Sequence, residues 1–383
     1  MAELRADVAI VGAGVLGAAH ALAALRRGAR VLVCERSERP RGASVRNFGM
    51  LWPIGQSGAD LALALRSGEL WREIAPLAGI RLRSCGSLHV ARAEDEAQVL
   101  SEFVAASTLP GLQLLEPAAA LALFPQLEPQ GLVCALHSPH EANVDPPRAL
   151  EALHAWLAAQ GVAYVWGRAA VRARSGALEL AGGAHVAAER IVVCSGDDFA
   201  TLFPEQFAAS DVWRSKLQML SLESDSGPDD APMLAAGLTL LHYRGFAACP
   251  SLPRLRERLA HECAEHVERG VHVLVSRGDD GRWIVGDSHE YGTHFAPGLD
   301  SRTEQLILEY LVRFVRLPVE RVQRRWSGSY ALRRGGATLL SAEPLRGVEI
   351  VTAAGGSGMT RSLAVGEQTV KAWDSTAQIR SGA

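Results

Sequence analysis

The first 35 residues carry the hydrophobic pattern of a β-α-β unit. Residues 9–11 are a continuous apolar run, which is typical of a strand that is buried on both faces. An alanine- and leucine-rich stretch at residues 18–25 predicts a helix that ends at Gly28, and residues 31–34 predict the next buried strand. Because two buried strands joined by a helix run in the same direction, this pattern indicates a parallel sheet.

The same pattern returns in two later segments. A helix predicted at residues 148–160 precedes an apolar strand at residues 191–194, and a strand at residues 348–351 precedes a glycine-rich turn and a helix at residues 361–373. Short strands, hairpins and isolated helices lie between these segments. We therefore predict an α/β fold with a Rossmann-like dinucleotide-binding domain, made of residues 1–80, 140–215 and 325–383, and an inserted mixed α+β substrate domain, made of residues 81–139 and 216–324.

Composition limits the class of protein. Of the 383 residues, 48% are hydrophobic and 21% are charged, as in soluble globular proteins. A net charge of −3 does not suit a protein that wraps nucleic acid, and no apolar run is long enough to span a bilayer. The polar segment before residue 8 leaves no room for a signal peptide, and the six cysteines form no C-x-x-C pair. We expect a cytoplasmic protein with reduced cysteines and a small-molecule substrate; the sequence does not indicate its oligomeric state.

A glycine-rich fingerprint joins the first strand to the first helix. It consists of Gly12, Ala13, Gly14, Val15, Leu16 and Gly17. Gly12 permits the tight turn, Gly14 lets the backbone approach a pyrophosphate, and Gly17 allows the helix to pack closely on the strand. The N–H groups of the first helical turn would bind phosphate. Glu35, at the end of the second strand, would accept hydrogen bonds from the adenosine ribose, so this segment predicts dinucleotide binding.

A second glycine-rich turn follows the last predicted strand. Its residues are Gly355, Gly356, Ser357, Gly358, Met359 and Thr360. The helix that starts here would point its N-terminus at the pyrimidine end of a flavin, which carries negative charge when reduced. An ordinary turn between a strand and a helix is the alternative. Together with the fingerprint at the start of the chain, this turn favours FAD over NAD.

These motifs and their order resemble those of the D-amino-acid-oxidase-like FAD oxidoreductases, the family that contains glycine oxidase and sarcosine oxidase. The matching segments are residues 8–36, 42–44, 47–51, 143–146, 191–196, 216–219, 281–287, 326–328 and 355–359. The resemblance implies a p-hydroxybenzoate-hydroxylase-like two-domain fold, oxidation of a C–N bond, and FAD that is not covalently attached. It also implies FAD contacts from Arg36, Ser44, Asn47, Phe48, Gly49, Met50, Val171, Ser195 and Gly196.

The substrate side departs from the family pattern. In the members that oxidise amino acids, an arginine after the Trp-x-Gly motif clamps the substrate carboxylate, whereas this chain has Tyr330 there. Residues 46–56, 248–252 and 286–292 look instead like those of FAD oxidoreductases encoded beside phosphonate-degradation genes. This likeness implies oxidation of an aminophosphonate, such as 2-aminoethylphosphonate or its N-methyl derivative, by O2 to an aldehyde, an amine or ammonia, and H2O2. A glycine- or sarcosine-like oxidase, a dehydrogenase that reduces a quinone or carrier, and a tRNA-modifying flavin domain are the alternatives.

Two arginines are candidates for binding an anionic substrate. Arg46 lies in the loop that is expected to pass the flavin, where it would bind the substrate or the flavin edge; a surface or pyrophosphate contact is the alternative. Arg361 lies in the first turn of a helix, where a basic residue opposes the helix dipole. It is expected to be solvated, unless an anionic ligand lies at the same helix end.

A tyrosine and a histidine complete the candidate catalytic set. Tyr330 would close the cavity or orient the amine, or pack in the core, and His289, which shares a turn-rich stretch with His294, would line the cavity or be exposed. His261 and His266 are five residues apart and therefore lie on different faces of a helix. We expect a solvated helix with His/Glu pairs there, and the sequence predicts no metal site.

Overall fold

The computed structural model of the chain describes residues 4–223, 230–334 and 339–381. Parts of the predicted domains at residues 1–3, 224–229, 335–338 and 382–383 lie outside the described residues. The strands are β1 (Leu4–Val11), β2 (Val31–Cys34), β3 (Met50–Leu51), β4 (Ser87–Ala91), β5 (Gln113–Leu115), β6 (Cys134–Ser138), β7 (Ala142–Asn143), β8 (Ala163–Val165), β9 (Ala170–Arg174), β10 (Ala177–Leu180), β11 (Ala184–Val193), β12 (Val212–Leu222), β13 (Met233–Ala236), β14 (Leu274–Arg277), β15 (Trp283–Gly286), β16 (Glu290–Gly292), β17 (Val322–Arg333), β18 (Leu340–Leu345) and β19 (Val348–Thr352).

The helices cover both sheets and connect their strands. They are α1 (Val15–Leu25), α2 (Gly58–Leu77), α3 (Glu94–Ala106), α4 (Pro117–Leu123), α5 (Pro146–Ala159), α6 (Pro204–Ala208), α7 (Gly237–His242), α8 (Leu252–Glu262), α9 (Ala264–Glu268), α10 (Ser301–Leu311) and α11 (Gly358–Ser381). Among the described residues, no helix combines the length and the apolar character needed to cross a membrane.

A mainly parallel sheet forms around the N-terminal β-α-β unit. Its strand order is β18-β19-β11-β1-β2-β8, and β10 and β9 extend it from β11. β1 pairs in parallel with β2 and β11, so that Ile10 lies between Val33 and Val192. All three side chains are fully buried, as expected for a parallel sheet covered on both faces. The predicted α/β class and its Rossmann-like topology are confirmed.

Helix α1 packs directly against α11 on this sheet. A Cβ atom added at Gly366 of α11 would lie 2.6 Å from the carbonyl carbon and oxygen of Ala19 in α1. The two backbones are therefore in contact, and only glycine permits so close an approach. This contact places the start of α11 next to the fingerprint turn at the start of α1.

A second, mixed sheet holds the other large hydrophobic core. Its strand order is β16-β12-β15-β14-β13-β4-β6-β5, and β17 pairs with β12. The antiparallel pair of β12 and β17 runs from Val212 opposite Arg333 to Leu222 opposite Val322. It carries Tyr330 towards the C-terminal glycine turn, where a Cβ added at Gly356 would lie 3.4 Å from the Tyr330 hydroxyl oxygen. The division of the chain into domains at the predicted residue numbers stays a prediction.

Several local elements differ from the predicted ones. Helix α1 begins at Val15, earlier than predicted, because Gly14 already serves as its N-cap. The segment between β2 and α2, which includes the loop that is expected to pass the flavin, contains short 3-10 helices at Ala43–Val45 and Pro53–Gly55, besides β3. The six cysteines, all within the described part of the chain, are free; a cytoplasmic location stays a prediction.

The predicted solvated helix around His261 is correct for His261 and Glu262, which are exposed, and wrong for the residues that follow. The helix is interrupted at Cys263, between α8 and α9, and Cys263 and His266 are both buried. The His266 ring packs against Tyr310, with ring centroids 5.8 Å apart. Glu265 forms an ion pair with Arg302 rather than a pair with a histidine. The apolar environment of His266 comes from α10, which the local sequence around His261 does not reveal.

Candidate active site

The carboxyl ends of β1, β2 and β11 open into a cavity of about 560 Å³, which we call the nucleotide cavity. Ligands bind at this end of the strands in α/β sheets. The fingerprint and three other predicted segments, residues 42–44, 191–196 and 355–359, meet here. Predicted residues that line the cavity are Gly12, Gly14, Val15, Leu16, Glu35, Arg36, Ser44, Ser195, Gly196 and Gly358.

Steric limits at two fingerprint positions require glycine. Gly12 has a φ of +98°, and a Cβ atom there would lie 2.3 Å from the carbonyl oxygen of Cys194. At Gly17, an added Cβ would lie 1.8 Å from the carbonyl oxygen of Gly12. The backbone at Gly12 is therefore in contact with the backbone at Gly17 and at Cys194, beside the cavity. A tight glycine turn of this kind lets the backbone N–H groups approach a pyrophosphate.

The Glu35 carboxylate is held at the edge of this turn. Its Oε2 accepts a hydrogen bond from the Ala13 N–H at 2.9 Å, and its Oε1 accepts one from the Ser37 N–H at 3.0 Å. Each carboxylate oxygen can accept a second hydrogen bond, so Glu35 is positioned to accept those of a ribose. Ser44 Oγ accepts the Val15 N–H at 3.0 Å, so this serine caps α1 from the loop after β2.

His154 supports the same turn from α5 and was not predicted. Its Nε2 lies 2.7 Å from the carbonyl oxygen of Ala13, and its Nδ1 lies 3.0 Å from the Tyr164 hydroxyl oxygen. Burial lowers the pKa of His154, which keeps the imidazole neutral, and Nε2–H donates to the carbonyl. A histidine within an amphipathic helix gives no sequence signal for this role.

The remaining predicted residues of the nucleotide cavity have protein partners. Arg36 forms an ion pair with Asp198 at 2.7 Å, and the Ser195 hydroxyl donates to the Asp198 carbonyl oxygen at 3.1 Å. Val171 is 43% exposed, and the cavity is lined by Ala169 and Ala170. The strand is in the expected place, but its contact with the cavity comes from residues before Val171.

Asn47 and Gly49 shape the loop that follows Ser44. The Asn47 side chain donates to the Ala43 carbonyl oxygen at 2.9 Å and accepts the Gly49 N–H at 2.7 Å. Gly49 has a φ of +73°, and a Cβ there would lie 1.8 Å from the Val144 carbonyl oxygen. Asn47 and Gly49 therefore stabilise the conformation of this loop.

A smaller cavity of about 110 Å³ adjoins the first, and we call it the substrate cavity. Val15, Ser44, Tyr330 and Gly358 line both cavities. The predicted residues Arg46, Asn47, Phe48, Met50, His289, Gly356, Ser357, Met359 and Thr360 also line the substrate cavity.

The C-terminal glycine turn is tied to the loop after β2. The Thr360 hydroxyl oxygen accepts the Trp52 N–H at 3.0 Å and donates to the Met50 carbonyl oxygen at 3.3 Å. Trp71 Nε1–H donates to the carbonyl oxygen of Met359 at 3.1 Å. The start of α11 is thus fixed against the residues that line the substrate cavity.

Arg361 is a structural residue in this turn. It is 1% exposed, so the expectation of a solvated side chain is wrong. Its Nε donates to Ser357 Oγ at 2.8 Å, its Nη2 donates to the Ala354 carbonyl oxygen at 2.8 Å, and its Nη1 pairs with Asp60. The carboxylate of Asp60, on α2, explains how an arginine is accommodated at the N-terminus of α11.

Arg46 lines the substrate cavity and is fixed by backbone groups. Its Nε donates to the Arg41 carbonyl oxygen at 2.8 Å, and its Nη1 donates to the Ser327 carbonyl oxygen at 3.0 Å. Among the described residues that line this cavity, no other arginine or lysine is present. Tyr330 also lines the cavity, and burial raises the pKa of its hydroxyl well above the usual value, so that the hydroxyl stays protonated.

Three histidines and an aspartate form one wall of the substrate cavity; we call them the histidine group. They are His242, His272, His289 and Asp287. The His272 Nε2 atom lies 3.3 Å from Asp287 Oδ1, and the His289 Nε2 atom lies 3.9 Å from Asp287 Oδ2. Burial lowers the pKa of His289 to about 4 and raises that of Asp287 well above its usual value. Neutral imidazoles can accept a proton, donate a hydrogen bond or bind a metal ion.

Sequence reasoning found only part of the histidine group. His289 was a candidate, whereas His242, His272 and Asp287 were not. His272 and Asp287 meet because their backbones exchange hydrogen bonds of 3.1 and 2.9 Å just before β14 and just after β15. That register is a property of the sheet, and the short helix α7, which ends at His242, carries no marker of the cavity.

Comparisons with known proteins agree with this arrangement. A family described as FAD dependent oxidoreductase (DAO) matches residues 7–372. The glycine oxidase of Geobacillus kaustophilus is 33% identical over 276 residues, which cover 67% of this chain and 69% of that protein.

Solved structures show the same fold. A crystal structure of glycine oxidase from Geobacillus kaustophilus matches with a TM-score of 0.75 and 24% identity, covering 95% of this chain and 93% of that one. The L-proline dehydrogenase of P. horikoshii matches with a TM-score of 0.77 and 17% identity, covering 97% and 93%. The family match extends over nearly the whole chain and includes both glycine-rich turns. The chain therefore belongs to the DAO family of FAD-dependent oxidoreductases.

Proposed function

We propose that this enzyme oxidises the C–N bond of a small amine that carries an anionic group. FAD, when bound, accepts a hydride from the carbon next to the nitrogen. The observation that carries the proposal is the substrate cavity, which adjoins the nucleotide cavity at the C-terminal glycine turn and is lined by Arg46, an exposed arginine. The glycine oxidase relative supports an amine substrate with an anionic end.

Arg46 would bind the anionic group. Two of its nitrogens are held by the carbonyl oxygens of Arg41 and Ser327, while its Nη2 donates no hydrogen bond to a described residue. A guanidinium that is fixed before the substrate arrives loses less side-chain entropy on binding. The apolar side chains of Phe48, Met50 and Trp52 would exclude water around the reacting carbon.

Tyr330 would orient the amine. Its hydroxyl stays protonated and lies next to the glycine turn, so it can donate or accept a hydrogen bond at the amine end of the substrate. The family's carboxylate-binding arginine is replaced by this tyrosine, so the anionic group must be bound elsewhere. Arg46 is the charged group of the cavity that is suited to this role.

We propose an aminophosphonate as the substrate, either 2-aminoethylphosphonate or its N-methyl derivative. A phosphonate offers more acceptor oxygens than a carboxylate, and Arg46 together with the N–H groups of neutral imidazoles provides donors for them. Arg361, which was a second candidate for this anion, is paired with Asp60 and does not contribute. Oxidation of an amino acid such as glycine or sarcosine is the competing function, and the glycine oxidase relative favours it.

A substrate panel separates these functions. We expect peroxide from 2-aminoethylphosphonate at a higher kcat/KM than from glycine, sarcosine or ethylamine. Arg46→Ala should raise KM for the phosphonate and leave the FAD content unchanged. Equal activity on ethylamine would contradict anion recognition, and a preference for glycine or sarcosine would favour the amino-acid oxidase.

We also propose that O2 is the electron acceptor and that FAD is held without a covalent bond. With O2, a primary amine and water give an aldehyde, ammonia and H2O2. Flavin reduced anaerobically should be reoxidised by an O2 pulse as fast as turnover requires. Reoxidation much slower than turnover with an artificial acceptor would indicate a dehydrogenase, as in the P. horikoshii neighbour. When the protein is denatured and precipitated, all of its FAD should be found in the supernatant.

A further inference from the structure

The histidine group brings metal-ligating side chains together, of which His272 and His289 are buried and His242 is exposed. One ligand atom from each of His242, His272 and His289 can be chosen so that all three lie within 4.8 Å of one another. Two ligands at about 2.1 Å from a tetrahedral ion are roughly 3.4 Å apart. The backbone therefore holds the three imidazoles close enough for side-chain rotation to bring their nitrogens to that spacing.

The backbone explains how these side chains converge. His272 and Asp287 lie directly opposite each other, because each N–H of this pair donates to the carbonyl oxygen of the other. Side chains that are opposite in an antiparallel pair share a face. His289 follows Asp287 by two residues, and its ring centroid lies 5.0 Å from that of His272. His242 approaches from the end of α7, with its ring centroid 3.9 Å from that of His272.

Unpartnered polar atoms point to a ligand here. The His272 side chain is 4% exposed and that of Asp287 is 7% exposed. His272 Nδ1 forms no hydrogen bond with a described residue, and the 3.3 Å contact between His272 Nε2 and Asp287 Oδ1 does not have hydrogen-bond geometry. Buried polar atoms are nearly always hydrogen-bonded or bound to an ion, and a buried carboxylate is costly unless a cation is near it. These atoms line the substrate cavity, where an ion can reach them.

We propose that His242, His272, His289 and Asp287 bind a divalent transition-metal ion in the wall of the substrate cavity. Three imidazole nitrogens and one carboxylate oxygen suit Zn²⁺ and other first-row metals better than Mg²⁺ or Ca²⁺, which prefer oxygen ligands. His289 Nδ1 lies 3.3 Å from the Gly270 carbonyl oxygen. A hydrogen bond there would leave its Nε2 lone pair directed at the ion, which is the usual arrangement of a metal-bound histidine.

A bound ion would change the charge of the cavity. It would add positive charge to the cavity that Arg46 lines, and a fifth coordination position, beyond the four protein ligands, would accept an oxygen of an anionic substrate. This consequence rests on the proposed function, whereas metal binding itself does not. The two are therefore tested by different measurements.

Metal binding is tested on the FAD-loaded protein without an affinity tag. The protein is stripped with a chelator and dialysed against Zn²⁺ alone, and bound zinc is measured by atomic emission. We expect one saturable ion in the wild type, and a loss of affinity of at least about 10–100-fold in His242→Ala and Asp287→Asn. His294→Ala is the matched control, because His294 is exposed and does not line the cavity. Flavin content and melting temperature show that each variant is folded.

Spectroscopy identifies the ligands. Co²⁺ bound in place of Zn²⁺ should give absorption bands at longer wavelengths than those of the flavin, and these bands should disappear in His242→Ala. The proposed site would be overturned if the wild type bound no zinc, or if His242→Ala and Asp287→Asn bound zinc with the affinity of the wild type. If the site is present, chelation should raise KM for an anionic amine but not for ethylamine. Equal KM values before and after chelation would overturn the substrate role alone.

Discussion

Asp60→Asn tests whether Arg361 is a structural residue or a substrate-binding one. The change keeps the size of the side chain and removes the carboxylate that faces a guanidinium that is 1% exposed. Arg361 also binds Ser357 Oγ and the Ala354 carbonyl oxygen, so it connects α2 to the C-terminal glycine turn. Loss of the carboxylate should weaken that connection.

The expected magnitude follows from burial. Removing one partner of a buried ion pair costs about 3–5 kcal/mol, because the remaining charge is left uncompensated. The Asp60 side chain is 22% exposed, which allows water to replace part of the lost interaction and favours the lower end of that range. Asp60 also lies in the first turn of α2, where a negative charge contributes about 0.3–1 kcal/mol. We therefore expect a loss of about 3 kcal/mol, or about 100-fold in the folding equilibrium.

Urea unfolding of the FAD-free protein measures this loss as a shift of the midpoint at constant slope. Glu69→Gln is the matched control, because Glu69 lies on the same helix and pairs with Arg66 on the surface, with side-chain exposures of 64% and 45%. That change should cost less than about 1 kcal/mol. FAD affinity should also fall in Asp60→Asn and not in the control. Unchanged stability together with a lower KM for the amine would refute the structural role and assign Arg361 to the substrate.

Three further changes probe the turn, the cavity and a buried acid. Gly17→Ala would place a Cβ atom 1.8 Å from the Gly12 carbonyl oxygen, so folded protein should lose its FAD, and a wild-type flavin content would contradict the close contact. Tyr330→Phe should lower kcat/KM about tenfold, the value of one hydrogen bond, at unchanged FAD content; equal kinetics would remove its role. Burial raises the pKa of Glu141 in the folded protein above its value in the unfolded chain. The contribution of Glu141 to stability is therefore present below the pKa of the unfolded chain and is lost as the pH rises through the pKa of the folded protein. Glu141→Gln should therefore raise the melting temperature relative to the wild type more at about pH 8 than at about pH 4, and a difference independent of pH would contradict the shift.

The sequence predicted the parts of the fold that local patterns determine. The β-α-β unit, the fingerprint and the C-terminal turn depend on apolar runs and on glycines, and Gly12 and Gly17 are required by contacts that no other residue permits. Arg46, Tyr330 and His289 all line the substrate cavity, and each lies within two residues of a segment that matches the family pattern.

The parts that the sequence did not predict depend on tertiary contacts. Asp60 is about 300 residues from Arg361, so the burial of that arginine cannot be deduced from its own helix. His272 and Asp287 become neighbours through the register of two strands, and His242 joins them from a separate short helix. His154 supports the fingerprint turn from α5 in the same way. Single histidines carry no sequence signal until the fold brings them together.

Anaerobic reduction of the bound flavin shows whether this enzyme oxidises a small anionic amine. The FAD-loaded protein is mixed with 2-aminoethylphosphonate, its N-methyl derivative, glycine, sarcosine or ethylamine, and the visible absorbance of the flavin is followed. We expect rapid bleaching by an amine that carries an anionic group and much slower bleaching by ethylamine. If dithionite reduces the bound flavin but none of the amines in the panel does, the proposed function is contradicted.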